Sequence, residues 1–195
     1  MNFKTYDILA SLIPGFLLVL VLSITFHIKY EKDWLTIYLA VSFLFGYLVT
    51  ALSSWLEDFY FVTWGGKPST NLLSGNDIWK VKFYHSEFAK SLLLTESENP
   101  AASNDELFSI ATRRVVGTKD TRIEDFNALY AFSRSLLTTI LISTLVLLPQ
   151  NYDDWRYYAT LLSMLFVAWL RCKQRGYYYA REVLNEYLKI QAVRN

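Results

Sequence analysis

Four long apolar stretches, almost free of charge, dominate this 195-residue chain. Between Ile8 and Ile28 the one ionisable side chain is His27, and between Trp34 and Leu56 there is no acidic or basic side chain. The third stretch, Phe126 to Tyr152, contains only Arg134, and the fourth, Tyr157 to Leu170, sits between Arg156 and Arg171. A helix needs about 20 residues to cross about 30 Å of hydrocarbon, and the first three stretches meet that length. The fourth reaches it when extended through Trp155 and Cys172, with Trp and Arg at headgroup depth. A helix of a water-soluble bundle would carry a polar face at helical period, and Leu17–Ile24 carries none. The pattern predicts an all-α integral membrane protein with four transmembrane helices, over Ile8–Ile28, Trp34–Trp55, Asn127–Leu148 and Asp154–Arg171.

Composition agrees with the lipid bilayer as solvent. Hydrophobic residues make up 53% of the chain and charged residues 19%, against roughly a quarter charged in soluble domains. The single cysteine, Cys172, excludes an internal disulfide and a cysteine-based metal site. A net charge of +1 gives no general attraction to nucleic acid, so no direct nucleic-acid partner is expected. The first stretch reads as a retained anchor. Only Lys4 precedes it, it exceeds the roughly 15 residues of a signal-peptide core, and Ser23-Ile24-Thr25 is a poor cleavage site.

With the amino terminus in the cytoplasm, fifteen lysines and arginines fall inside, against Lys29, Lys32 and Arg156 outside. That bias predicts a multi-pass topology with both termini and the long polar insertion in the cytoplasm. The chain then divides into a first transmembrane helix pair (1–56), a cytoplasmic insertion (57–125), a second transmembrane helix pair (126–172) and a cytoplasmic amphipathic tail helix (173–195).

The insertion is too long for a simple connection and too short for a large independent core. The aromatic run Phe59–Trp64 ends at Gly65-Gly66, after which Pro68 implies an extended or turning path. Asn76 or Asp77 can cap a helix from Ile78 to about Leu94, and the polar segment Thr95–Asn104 reads as a mobile loop. Asn104 or Asp105 can cap a second helix from Glu106 to Val116, which Gly117 would end. Thr121-Arg122-Ile123-Glu124 is a capping-box pattern from which one helix can run into the third crossing. In the tail, Tyr179, Val183, Tyr187 and Ile190 share an apolar face, while Arg181, Glu182, Asn185 and Lys189 largely face elsewhere. Insertion and tail together predict a small helical cytoplasmic layer.

Catalytic patterns are weak. Gly65-Gly66-Lys67-Pro68-Ser69-Thr70 resembles a phosphate-binding loop only superficially, because Phe61 stands where a glycine is needed and Pro68 where Ser or Thr should follow the lysine. Neither His27 nor His85 has an arginine five residues before it, as an RNase of the HEPN type requires; Lys80 in that place before His85 lacks the guanidinium fork. No Ser-His-Asp set or HExxH spacing is present, and His27 falls on the opposite side of the predicted membrane from His85 and Cys172. The expectation is a non-enzyme with no catalytic residues, no cofactor and no metal.

Arg134 is the one charge inside an otherwise apolar crossing, and such residues are costly and often functional. It can snorkel to the cytoplasmic surface or pair with Glu57 or Asp58 at the end of the second helix. Beside it Ser135, Thr139 and Ser143 recur every four residues, with Thr138 and Thr144 alongside. Such a stripe either bonds to backbone carbonyls four residues back and lets helices approach closely, or faces water in a narrow pore built from several copies of the chain. The candidate pore or gating residues are therefore Arg134, Ser135, Thr138, Thr139 and Ser143, with Glu57 and Asp58 as candidate pairing residues. Pro14-Gly15 implies a kink or soft point in the first helix, and Gly46 a close backbone approach in the second.

Two segments, Tyr6-Asp7-Ile8-Leu9-Ala10-Ser11-Leu12-Ile13-Pro14-Gly15 and Trp64-Gly65-Gly66-Lys67-Pro68-Ser69-Thr70 followed by Leu72-Leu73, together with the layout of two helices, insertion and two helices, carry a resemblance. The chain resembles small multispanning bacterial membrane proteins associated with antiviral defence loci, including the accessory membrane proteins beside type VI-B CRISPR effectors. One better-known accessory of that type carries an arginine-to-histidine nuclease-like motif, which this chain lacks. The resemblance implies a bacterial inner (plasma) membrane location and a non-enzymatic effector or regulator of a defence system. It would act through homo-oligomerisation, as a pore or depolarising device, or by binding a cytoplasmic protein partner. The alternative is a small ion-handling or transporter-like membrane protein.

Overall fold

The computed structural model describes residues 5–29, 31–78, 80–116, 121–151 and 153–194. Among these residues lie eight α-helices, α1 (Thr5–Thr25), α2 (Leu35–Trp55), α3 (Glu57–Trp64), α4 (Pro68–Leu73), α5 (Ser86–Ser97), α6 (Asn104–Val116), α7 (Thr121–Leu147) and α8 (Trp155–Arg194), and two short 3-10 helices, Lys32–Trp34 and Leu148–Asn151. No strand occurs among the described residues, only an isolated antiparallel bridge between Ile78 and Val81. Of the four expected crossings, two are matched by segments long and apolar enough to cross a bilayer, Leu35–Trp55 and Arg122–Gln150. Of the first, the described side chains show the apolar helix Ser11–Thr25, and the apolar start of α8 is bracketed by Arg156 and Arg171.

The helices divide into two compact units. One consists of the chain up to Glu57 together with Ala131–Cys172. Here α1 and α2 pair in opposite directions, Ser11 against Gly46 and Gly15 against Ser42. A Cβ on Gly15 would stand 1.8 Å from the Ser42 carbonyl oxygen, and one on Gly46 would stand 1.9 Å from that of Ser11. Both helices thus carry a small residue every fourth position at the crossing, which lets backbone meet backbone. The interior of this unit is rich in hydroxyls, Ser42, Ser53, Ser135, Thr138 and Thr139 each being at most 1% exposed, and they are buried alongside Leu18, Val49 and Leu137. Its outside is large and apolar, with Leu44 56%, Phe166 59% and Val167 63% exposed.

The other unit consists of Asp58–Tyr130 and Lys173–Asn195 and has the opposite distribution. Leu72 of α4, Leu93 of α5, Leu107 and Ala111 of α6, and Val183, Leu184 and Tyr187 of α8 are fully buried together. Gly176 admits no side chain without displacement, since a Cβ there would lie 3.2 Å from both Pro68 Cγ and the Tyr130 ring. Tyr130 in turn stacks on Tyr179, ring centroids 6.3 Å apart.

Several local expectations are corrected. The helix expected from Ile78 begins at Ser86: Ile78 and Val81 bond to each other through both backbone pairs, and Asp77 accepts from the Phe83 N–H at 3.0 Å instead of capping a helix. Trp79 lies outside the described residues. At the other end α5 runs on through Ser97, so the expected loop starts only at Glu98, whose left-handed φ of 55° stops the helix. The turn at Gly65-Gly66 leads through an extended Lys67, and Pro68 then opens α4 as its first residue, where its missing N–H removes no bond. The cap of α6 is Ser103, not Asn104 or Asp105: the Ser103 N–H donates to Glu106 at 2.7 Å and the Glu106 N–H donates back to the Ser103 hydroxyl at 3.3 Å. Gly117, expected to end that helix, is outside the described residues. The fourth apolar stretch does continue past Arg175 as expected, and with the tail it forms one uninterrupted 40-residue helix. Glu182, placed by sequence on the tail's outer face, is only 5% exposed.

Candidate functional site

Arg134 sits on α7 with its guanidinium turned to the end of α2. Its Nη1 is 2.5 Å from Glu57 Oε2, and its Nη2 donates to Ser54 Oγ at 3.0 Å. The Arg134 side chain is 12% exposed and that of Glu57 27%, whereas Asp58 is exposed. The charge is thus neutralised locally by a hydrogen-bonded carboxylate, the arrangement that makes an arginine tolerable at low dielectric.

The hydroxyl stripe is engaged within one copy of the chain. Thr138 and Thr139 donate to the carbonyls of Arg134 and Ser135, each at 3.0 Å, and Thr144 donates to that of Ile140 at 2.8 Å. Thr139 also reaches the Pro14 carbonyl of α1 at 3.4 Å, and Ser135 Oγ lies 3.2 Å from Thr50 Oγ1 of α2. Ser143 is buried as well. These are helix-packing contacts, and they use the groups that would have to face water in a pore.

The glycine-rich turn is organised as a brace. Gly65 and Gly66 hold positive φ, and their N–H groups donate to the carbonyls of Val62 and Phe61, so these two amides are engaged within the chain. Lys67 Nζ is 2.7 Å from Asp105 Oδ2, while the Thr70 hydroxyl donates to Asp105 Oδ1 at 2.7 Å. These bonds, that of Lys67 foremost, hold the Asp105 carboxyl below its ordinary range. A second brace joins α5, α6 and α8. The Tyr187 hydroxyl donates to Glu96 at 2.9 Å, Gln191 donates to the same oxygen at 3.2 Å, and Arg114 binds the other. Burial, reinforced by that carboxylate, pushes the Tyr187 phenol up to about 12, so it stays a donor.

A groove of about 530 Å³ remains on the helical unit. His85 and the 59%-exposed Phe88 stand at the start of α5, Arg122 in the first turn of α7, and Arg181, Asn185, Leu188 and Ala192 along α8. Arg122 bridges to Glu182 at 3.0 Å, and Arg181 lies over the Tyr178 ring, 5.1 Å from its centroid. Sequence reasoning did not single out this set. Its signal was the spacing of Arg181, Asn185, Leu188 and Ala192, which recur on one helical face. Among the described residues no group of three or more His, Cys, Asp or Glu side chains converges. No protein-family model matches the chain, and no curated protein or solved structure matches it either.

Proposed function

We propose that this chain is a non-enzymatic multi-pass membrane protein whose helical unit docks a soluble cytoplasmic protein. The observation that carries the reading is the exposed apolar surface of the unit built on α1 and α2, Leu, Ile and Phe outside, around an interior in which hydroxyls and glycine stand beside Val49 and Leu137. In water that arrangement would leave a large apolar surface exposed, whereas in lipid close backbone packing and hydroxyl bonds help to hold helices together. The other unit has an ordinary apolar core and a charged groove, which suits water.

In this reading α1, α2, the apolar part of α7 and the first half of α8 cross the bilayer. Trp155, Arg156 and Arg171 lie at headgroup depth, and the excess of Lys and Arg keeps the insertion and both ends in the cytoplasm. Docking is favoured over a pore because Arg134 and its neighbouring hydroxyls already have partners within one copy. A setting in bacterial antiviral defence rests on the resemblance of the first helix and the Gly-Gly-Lys-Pro turn alone.

The test combines membrane retention with flux. The protein should stay in the membrane after an alkaline carbonate wash, and liposomes containing it should remain tight to ions. A cysteine replacing Asn99 should be shielded from an impermeant maleimide in intact cells, and one replacing Asp153 should react. Release by carbonate, labelling at residue 99, or steady ion flux would each overturn the reading.

A further inference from the structure

The docking role leaves the chemistry of the partner open, and the groove along α8 narrows it. Arg181, Asn185, Leu188 and Ala192 follow one another at i, i+4, i+7 and i+11, so this wall extends over about 16 Å of helix. A trough three turns long suits a peptide segment better than a compact small molecule. It offers an apolar anchor point in Leu188, which packs partly on the core, Ala192 and the exposed ring of Phe88, which the core does not use. Cations dominate its edge. Glu182 is paired with Arg122 and Lys189 with Glu186, whereas Arg181 lies over the Tyr178 ring, and among the described residues its buried Nε has no hydrogen-bond partner. We infer that the groove binds an acidic amphipathic helix of a soluble protein. Apolar side chains of that helix seat on Phe88 and Leu188, and a carboxylate at its edge accepts from Arg181. A basic segment is rejected by like charge.

This inference rests on the docking role, and its test is separable from that of the membrane anchor. The full-length protein in phosphatidylcholine nanodiscs is titrated with a fluorescent synthetic helix of about four turns, carrying Leu at every third or fourth position and Glu between. Controls replace each Glu by Lys or scramble the order. The acidic helix should bind and the controls should not. Arg181→Gln should weaken binding about tenfold, the loss of one charge-assisted contact. Because Arg181 also packs on Tyr178, Lys189→Glu, at a side chain 61% exposed, supplies a charge test that leaves that stacking intact and should weaken binding at least as much. Equal binding of the Lys peptide, or wild-type affinity in both variants, overturns the inference. Displacement of the peptide by phosphatidylserine in the nanodisc also overturns it, since the occupant is then a lipid headgroup. A chain that stays in the membrane but ignores the acidic helix refutes the groove assignment alone; one that binds the helix yet washes off the membrane refutes only the anchor.

Discussion

A methyl group on Gly46 would meet the Ser11 carbonyl oxygen at 1.9 Å, backbone against backbone, with no flexible side chain to yield. Gly46→Ala is expected to cost about 2–3 kcal/mol by forcing α1 off α2. Gly65→Ala meets no atom within 4 Å but sits at φ +81° and should lose only about 1–2 kcal/mol of backbone strain. Melting midpoints of the detergent-solubilised variants compare the two, and equal losses would deny the close crossing. Arg134→Leu removes the guanidinium from Glu57 and should cost about 2–3 kcal/mol. Adding Glu57→Gln should return part of that loss, and strict additivity in the double-mutant cycle would show the pair to be uncoupled. At Asp105 the folded carboxyl is depressed, so its contribution is present above the ordinary carboxylate range and is lost as pH falls through the lowered value. The stability gap between wild type and Asp105→Asn should therefore shrink on acidification. Because the side chain is 47% exposed, the gap stays small and is best read by differential melting across pH.

At the scale of elements, α7 does two jobs along its length. Its first turns join the apolar core through Ile123 and Tyr130, and its later turns present hydroxyls to α1 and α2. Because those hydroxyls mostly bond to carbonyls of their own helix, Thr139→Val should change stability by under about 1 kcal/mol and leave liposomes tight. A large loss, or a change in ion flux, would return the stripe to a water-facing role. The positions of α5 and α6 were harder to read than their existence. Asp77 looks like a helix cap in sequence yet holds a turn, while Ser103 takes the cap expected of Asn104 or Asp105, a choice made by which backbone N–H lies opposite each side chain.

For the whole molecule, the apolar core of the insertion is closed by a distant segment. Leu72, Leu93 and Leu107 are buried together with Val183, Leu184 and Tyr187 of α8. Deleting residues 173–195 should therefore expose the insertion to protease while the unit built on α1 and α2 resists digestion in the membrane. An equally resistant insertion in the truncated protein would mean that it folds alone. The insertion is short for a core of its own, so a tail contributing a wall of side chains is what its length required.

The amino-acid sequence by itself determined the helical class, the two long apolar spans and the need to neutralise Arg134, because each follows from local hydropathy or the cost of a charge in a low dielectric. Glu57, Asp58 and solvent were all open to Arg134 until packing turned its guanidinium toward Glu57 and Ser54. The groove was not legible, because its walls lie far apart in the chain, at His85 and Phe88, at Arg122 and along Arg181–Ala192, and no local rule links them. Burial of Glu182 and the mesh of Ser11 and Gly15 with Ser42 and Gly46 depend likewise on which faces meet. Periodicity reports that a face exists; only the tertiary structure chooses its partner, since that choice turns on shape and charge across the contact.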